Sequence, residues 1–564
     1  MIFTLFSWFW IGISSFLCGF AVLELPLLRK PHGYRRTEQY ILMGLCFLTV
    51  YAQTFSLFGQ VSGLATGILM ILCLIIVLGL RKNWIPYIKQ ICSEIKWYHL
   101  VMMGLITLFA LTVTSYRPIL YDTDLYHAQA IRWIEQYGVV KGLGNLHNRL
   151  AYNSSFFSLQ ALFSLKFLVN QSMHSINGFI TLVMLKYGVL EYCVFRRKKP
   201  EMSDIFRICL IWYFFVEGII FTISSPGSDL LAQSLLLYLC AEWSRLIEDQ
   251  DEYGEYGILC VLAVWAVTVK LSAAMVVLLT VYPAICLIRE KKWKQIGLFL
   301  AMGLMIVFPF LARNVVISGY LLYPNEKLDL FHVDWKMPAS VVSSDSAEIK
   351  AWGRGITSFE QYNVPMSEWL PIWYGTLSIG FKIMLWLSVF CMLFAVVYTV
   401  MCMRKRKGLP ELTLLGTCIA GLLSWFFTTP NIRYGLQYLL LLPAFFIGIF
   451  LKNRFRKVIA YAALVVLLCF SVKSFRRVIQ LQGFPPVKRP VEYTYMEAAT
   501  AELEGYIFYV GEGTDQVGYH YFPSTTSSIK LTTIELRTGK LEGGFRVREE
   551  YQNTNLLNSG DVLP

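Results

Sequence analysis

Apolar runs recur along most of the chain, parted by short polar breaks. Many reach the roughly 18–20 residues a helix needs to cross a bilayer. About 14 such runs centre near Trp10, Cys46, Ile71, Leu105, Met184, Trp212, Leu235, Val264, Leu278, Met305, Phe390, Gly416, Leu440 and Val465. The pattern predicts an all-α polytopic membrane protein. Residues 1–24 have the look of a signal peptide, but no Ala-x-Ala-like site follows and further spans come next, so the segment reads as a helix. Two long polar stretches interrupt the series, at 116–173 and 313–377, and a third, 473–564, follows the last span. The expected organisation is three leading spans and a connector (1–97), a membrane core (98–472) and a small terminal module (473–564).

Within the first polar stretch, 122–137 has helical periodicity, with Leu125, Ala128, Ile131 and Ile134 on one face and His127, Gln129, Arg132 and Gln136 between them. Gly138, Gly142 and Gly144 end the pattern. Residues 153–170 form a second apolar segment, predicted to lie flat on the membrane surface. In the terminal module, 505–510 and 529–537 have strand-like composition, so an α/β fold is expected there.

Charge fixes the expected sidedness. The 50 Lys and Arg outnumber the 37 Asp and Glu, and the basic residues cluster at 29–30, 35–36, 81–82, 196–199, 291–294, 404–407 and 452–457. The positive-inside rule puts these clusters in the cytoplasm and the three long polar stretches outside. They lack the interleaved aromatics and groove-reading elements of a nucleic-acid binder. Charged residues make up only 15% of the chain, against about 25% in soluble domains, and the mean hydropathy is +0.53. Of the 13 cysteines, none falls in the expected outside segments, which disfavours disulfides and a thiolate metal site.

Candidate chemistry gathers at the outside ends of the spans. Asp122-Thr-Asp124-Leu-Tyr126-His127 opens the first outside helix. N-capping alone explains either aspartate, but two acids beside Tyr126 and His127 at a membrane face also suit a general base acting on an acceptor hydroxyl. Alternatively, Asp122 and Asp124 could hold a divalent cation such as magnesium or manganese against a diphosphate. Aqueous carboxylates against a bilayer suit chemistry on a lipid-linked substrate rather than ion conduction. Lys270 interrupts an apolar hairpin, where a charge is costly. Snorkelling to the interface explains it, as does a lipid phosphate. Arg313 and Arg433 also lie at expected outside ends, and one phosphate could account for all three cations. Arg132, Arg149, Asn153, Asp229, Asn314 and Tyr434 complete the candidate substrate-binding set, with Tyr126 and His127.

This order of parts resembles the GT-C superfamily of membrane glycosyltransferases, which includes protein O-mannosyltransferases and lipid A aminoarabinose transferases. Asp122 with Tyr126 resembles that superfamily's Asp-x-x-x-Tyr pattern in the first outside loop. Thr268-Val-Lys270 is similar to its Thr-Lys hairpin, and Arg433-Tyr434 with Pro443 to its Arg-Tyr region. The segment from Tyr121 to Arg149 also resembles a little-characterised bacterial membrane family of the same layout. Two features depart from the superfamily pattern: three extra leading spans, and Thr123 where an acid normally follows the loop aspartate.

The resemblance implies transfer of a sugar from a polyprenyl-phosphate donor to a glycan, lipid or protein acceptor on the outer face of a bacterial cytoplasmic membrane. It implies Asp122 as base, Asp124 assisting or binding a metal, and Lys270, Arg313 and Arg433 at the donor phosphate. Two other functions remain open from the residues: a flippase for lipid-linked sugar, which would draw on Glu191 and Glu217 within the spans, and an oligosaccharide polymerase or ligase relying on outside arginines.

Overall fold

The computed structural model describes residues 1–30, 33–190, 201–216, 218–249, 253–356, 364–405, 408–451 and 457–552. Glu191, Glu217, Cys193, the 196–199 cluster and most of the 452–457 cluster lie outside these residues.

Helices dominate, and the chain is a multi-pass helical membrane protein. Among the described residues, eight helices are long and apolar enough to cross a membrane, or nine if the pair Gly63–Gly79 and Arg81–Glu94, bent by 83°, counts as one span. Eight of the expected runs are therefore found as full-length spans. Of the other six, the Ile71 run is the first half of the bent pair and the Val465 run is the helix Lys457–Gln482, which is not among the eight; four more differ for physical reasons. Ile176–Leu190 and Gly254–Val269 are short, and Met202–Tyr213 stops after 12 residues. Thr37–Ser56 is long but carries the buried polar residues Glu38, Gln39 and Gln53, which lower its hydropathy.

The first two helices, Ile2–Leu23 and Thr37–Ser56, cross closely. A Cβ at Gly19 would lie 1.8 Å from the Tyr40 carbonyl oxygen, and one at Gly44 would lie 1.7 Å from that of Ser15. Small residues at such crossings let helix backbones touch. At the end of the bundle carrying the 35–36 cluster, Arg36 pairs with Glu38 (3.0 Å) and Glu242, Lys186 with Glu38 (2.8 Å), and Arg35 with Glu255 (2.6 Å). These bonds tie the leading helices to the rest of the bundle.

The opposite end gathers the long polar stretches. Residues 121–137 form one helix, widened into a π-turn at Thr123–His127 and regular over Ala128–Tyr137. The second segment is shorter than expected: Ser155–Leu162, then a break and a single turn, Lys166–Val169. Leu165 and Asn170 have positive φ, at 50° and 58°, and these left-handed residues flank the turn. The second long stretch is more ordered than its sequence suggests. Arg313 and Asn314 still belong to the helix Trp293–Ser318, and Ala339–Gly353 and Met366–Thr376 are helical.

The terminal module is α/β. Ala498–Leu503 pairs antiparallel with Tyr506–Gly511, and Ile534–Leu536 with Phe545–Val547. The 505–510 strand expectation is met. The 529–537 candidate splits into the helix Ser528–Thr533 and the start of the second hairpin.

Candidate functional site

Four charged side chains from four separate segments meet at the end of the bundle bearing the long stretches. Asp122 Oδ2 is 2.6 Å from Arg433 Nη2, and Arg433 Nε donates to Asp229 Oδ2 at 2.8 Å. Lys270 Nζ donates to the other Asp229 oxygen. Lys270 also sits 4.2 Å above the Tyr434 ring centroid and Arg433 5.6 Å from it, within the range of cation–π attraction. The two acids and two bases neutralise one another. Asp229, at 7% side-chain exposure, lies behind the others, whereas Asp122 (21%), Lys270 (25%) and Arg433 (29%) reach solvent.

Neutral partners hold each segment in place. Asp229 opens the helix Asp229–Asp249, and Asn177 Nδ2 donates to the carbonyls of Ser225 (2.6 Å) and Gly227 (2.8 Å) in the turn before it. The Ser225 hydroxyl bonds Thr123 at 2.7 Å, linking that turn to the helix of Asp122. Arg433 is set by an Asn431 cap on its backbone N–H (2.9 Å), by Gln233 donating to its carbonyl, and by Trp425 and Trp373 donating to the carbonyls of Asn431 and Pro430. Lys270 occupies an extended residue between two helices, followed by a long 3₁₀ segment, Leu271–Thr280. Ser154 donates to the Val269 carbonyl at 2.7 Å and Tyr438 to that of Ser272 at 2.7 Å. Short 3₁₀ runs are the norm, and this long one keeps Lys270 from being drawn into a continuous helix.

Burial disfavours a charged Asp122, but Arg433, His127 and Lys270 together outweigh it and hold the carboxyl below its ordinary value. Asp122 is therefore a carboxylate at neutral pH. His127 is buried against Gly227, and its Nδ1 has no hydrogen-bond partner. Burial pushes its pKa down to about 3, which makes it a neutral imidazole. Tyr126 is within electrostatic reach of Asp122, Tyr434, Arg433 and Arg149.

Asp124 has a different setting. Residues two apart on a helix do not share a face, and Asp124 turns toward the terminal module. Its backbone carbonyl accepts from Val517 N (3.1 Å) and Gly518 N (2.8 Å). Its Oδ1 has no partner, and burial raises its pKa to about 6. The expected carboxylate pair is thus split between two environments. Among the described residues, no three His, Cys, Asp or Glu side chains gather as a metal-binding group. The neighbours of Asp122 are cations, so the arrangement does not fit a magnesium or manganese ion held by Asp122 and Asp124.

Other expected site residues are engaged elsewhere. Arg132 donates to the carbonyls of Tyr519 and His520 (2.8 Å to the latter) and lies over Tyr519 and Phe522. Arg149 pairs with Asp345 (2.9 Å) and Glu348 (3.0 Å) of the helix Ala339–Gly353. Asn314 donates to the Leu321 carbonyl. Arg313 was expected beside Lys270 and Arg433 at one phosphate. Instead its Nε donates to Asn153 Oδ1 (3.1 Å) and its Nη1 to the Ser56 hydroxyl, while Asn153 Nδ2 donates to the Phe310 carbonyl. Arg313 thus bonds to neutral groups where the leading helices meet the core.

Sequence reasoning missed the strap at 515–521. Tyr121 donates to Asp515, Gln516 Nε2 donates to the Tyr121 carbonyl (2.8 Å), Gln129 Nε2 to those of Gly518 (2.6 Å) and Tyr521 (2.7 Å), and Tyr519 to Glu135 Oε2 (2.7 Å). His174 bridges Glu135 (3.1 Å) and the Tyr493 hydroxyl. In the sequence, Gln129 and Arg132 stood among the polar positions of this helix, and Glu135 lies three residues further on the same side.

The family model described as "Domain of unknown function (DUF8201)" matches residues 1–440. The chain belongs to the DUF8201 family. The match takes in the leading helices and all four charged residues of the cluster, and ends before the terminal module. No curated protein and no solved structure matches the chain.

Proposed function

We propose that the chain is a GT-C-type glycosyltransferase that moves a sugar from a polyprenyl-phosphate donor to an acceptor hydroxyl on the outer face of a bacterial cytoplasmic membrane. The carrying observation is the cluster of Asp122, Arg433, Asp229 and Lys270 at one end of a bundle of apolar helices, with both cations partly open to solvent. A lipid-linked phosphate lying along the bundle would reach that end with its head group in water.

In this reading the Asp122 carboxylate accepts the acceptor's hydroxyl proton as that oxygen bonds the anomeric carbon. The bond from the anomeric carbon to the phosphate oxygen breaks, and the electron pair leaves with the phosphate, which gains one negative charge. Lys270 and Arg433 stabilise that charge, and preorganised cations are effective there because they need little reorganisation. Asp229 is a positioning residue that holds both cations by ion pairs.

The flippase alternative would use ionisable groups inside the bundle. Those at the other end, Arg36, Glu38, Lys186 and Glu242, are paired with one another, and a clamp on the leading helices accounts for them. The test is sugar transfer by purified protein in lipid, given radiolabelled polyprenyl-phosphate sugars and a crude membrane acceptor extract. Label should reach an acceptor with wild type and not with Asp122→Asn. Equal transfer by both would remove Asp122 as base. Movement of labelled lipid between leaflets by both, without a new glycosidic bond, would replace the transferase by a flippase.

A further inference from the structure

We infer that Asp122 and an anionic phosphate ligand compete for Arg433, so that seating the phosphate releases the Asp122 carboxylate from its ion pair. This rests on the transferase reading and adds an order of events to it.

The asymmetry of the cluster carries the inference. Asp229 is the deepest member and touches both cations. Asp122 touches one of them and is itself partly exposed. A ligand arriving from solvent therefore meets Lys270, Arg433 and Asp122 first. A phosphate oxygen placed on Arg433 Nη2 takes the position now held by Asp122 Oδ2, while the Nε bond to Asp229 stays in place and keeps the guanidinium oriented. Arginine suits this exchange because its planar fork can bind a carboxylate through one edge and a phosphate through another. Lys270, fixed by Asp229 and lying over Tyr434, offers the second positive charge without moving.

The charge balance gives the exchange a purpose. The empty quartet sums to zero, and a base locked to a guanidinium is a weak proton acceptor. With a monoanionic phosphodiester on the cations, Asp122 loses its partner and its affinity for a proton rises. The acceptor's proton then neutralises Asp122 while the departing phosphate gains its second charge next to Lys270 and Arg433. Donor binding would thus precede activation of the base, and an enzyme without donor would not activate water or acceptor.

The test measures binding to the full-length protein in phosphatidylcholine nanodiscs at low ionic strength. One arm is titrated with a long-chain polyprenyl monophosphate and the other with inorganic phosphate. Asp122→Asn and Asp122→Ser should each bind about 1.5- to fivefold tighter than wild type, the range for removing a partly exposed competing ion pair. Lys270→Gln and Arg433→Gln should lose at least about tenfold. Tightening in both arms identifies the phosphate group itself as the competitor, and tightening in the lipid arm alone assigns the site to a lipid-linked phosphate. If the Asp122 variants bind equally or more weakly while the Lys270 and Arg433 variants fail, competition is refuted and the phosphate site stands. If the Lys270 and Arg433 variants bind like wild type, the phosphate site falls, and the transferase reading with it.

Discussion

Replacing Asp124 with asparagine should stabilise the protein at neutral pH, which is unusual for a residue so near a candidate active site. Asp124 is 7% exposed, has one carboxylate oxygen without a partner and lies against Gly518 of the strap. Burial raises its pKa from 3.8 to about 6. At 1.36 kcal/mol per pH unit, the folded state loses about 3 kcal/mol as the medium passes from below the unfolded pKa to above the folded one. The sign follows from proton uptake. Between about pH 4 and 6 the folded state holds the Asp124 proton more tightly than the unfolded state does, so stability is full in acid and declines toward neutrality. Asparagine cannot ionise and should abolish the decline. The assay is thermal unfolding by tryptophan fluorescence in detergent from pH 4.5 to 7.5, with hydrogen exchange of residues 515–522 at both ends of the range. Wild type and Asp124→Asn should differ least at the acid end, diverge as the pH rises to about 6 and stay apart above it, with the variant the more stable and its strap the better protected. Identical pH profiles would refute the argument. A variant that is less stable only when divalent cations are present would return Asp124 to the role of a metal ligand.

Two further outcomes follow from packing. Arg149→Met should cost about 3–5 kcal/mol, because it strips Asp345 and Glu348 of the buried cation between them; the check is a lower unfolding temperature with unchanged phosphate affinity in the folded fraction. Gly44→Ala should cost about 1–3 kcal/mol, since its Cβ would fall 1.7 Å from the Ser15 carbonyl oxygen and force the first two helices apart. Gly67→Ala, with open space at its Cβ, should leave the unfolding temperature nearly unchanged or slightly higher.

The sequence was most legible where one physical constraint dominated. Apolar length identified the spans from Trp10 and Leu105 through Leu440, because few helices outside a membrane need so long an apolar run. It overcounted where helices are short or bury polar groups against protein, as in Thr37–Ser56, since hydropathy alone does not separate lipid contact from protein contact. Within the site, Asp122, Asp229, Lys270 and Arg433 were all marked as candidates, because charges at apolar span ends stand out, and Tyr434 through its place beside Arg433. What joins them was not readable, since Asp122 and Arg433 are brought together by the fold rather than by spacing. Arg149 and Arg313 show the limit of that reasoning. An arginine at a span end or in an outside loop looks the same in sequence whether it awaits a phosphate, pairs with a remote Asp345 or bonds Ser56 and Asn153. Asp124 shows it again, because a helix start does not reveal which of two acids will face a segment some 390 residues later.

The strap carries a consequence for how the protein is made. Gln129 and its partner Gly518 are 389 positions apart. At typical synthesis rates of about 5–20 residues per second, roughly 20–80 s separate their emergence from the ribosome. During that interval the helix bearing Asp122 stands without the bonds that hold its polar stripe. A ribosome that stalls within the last span would leave a nascent chain with its membrane helices laid down and its acidic helix untethered. Such a chain presents Gln129 and Arg132 without their strap partners, a mark by which quality-control proteases could tell an unfinished protein from a finished one.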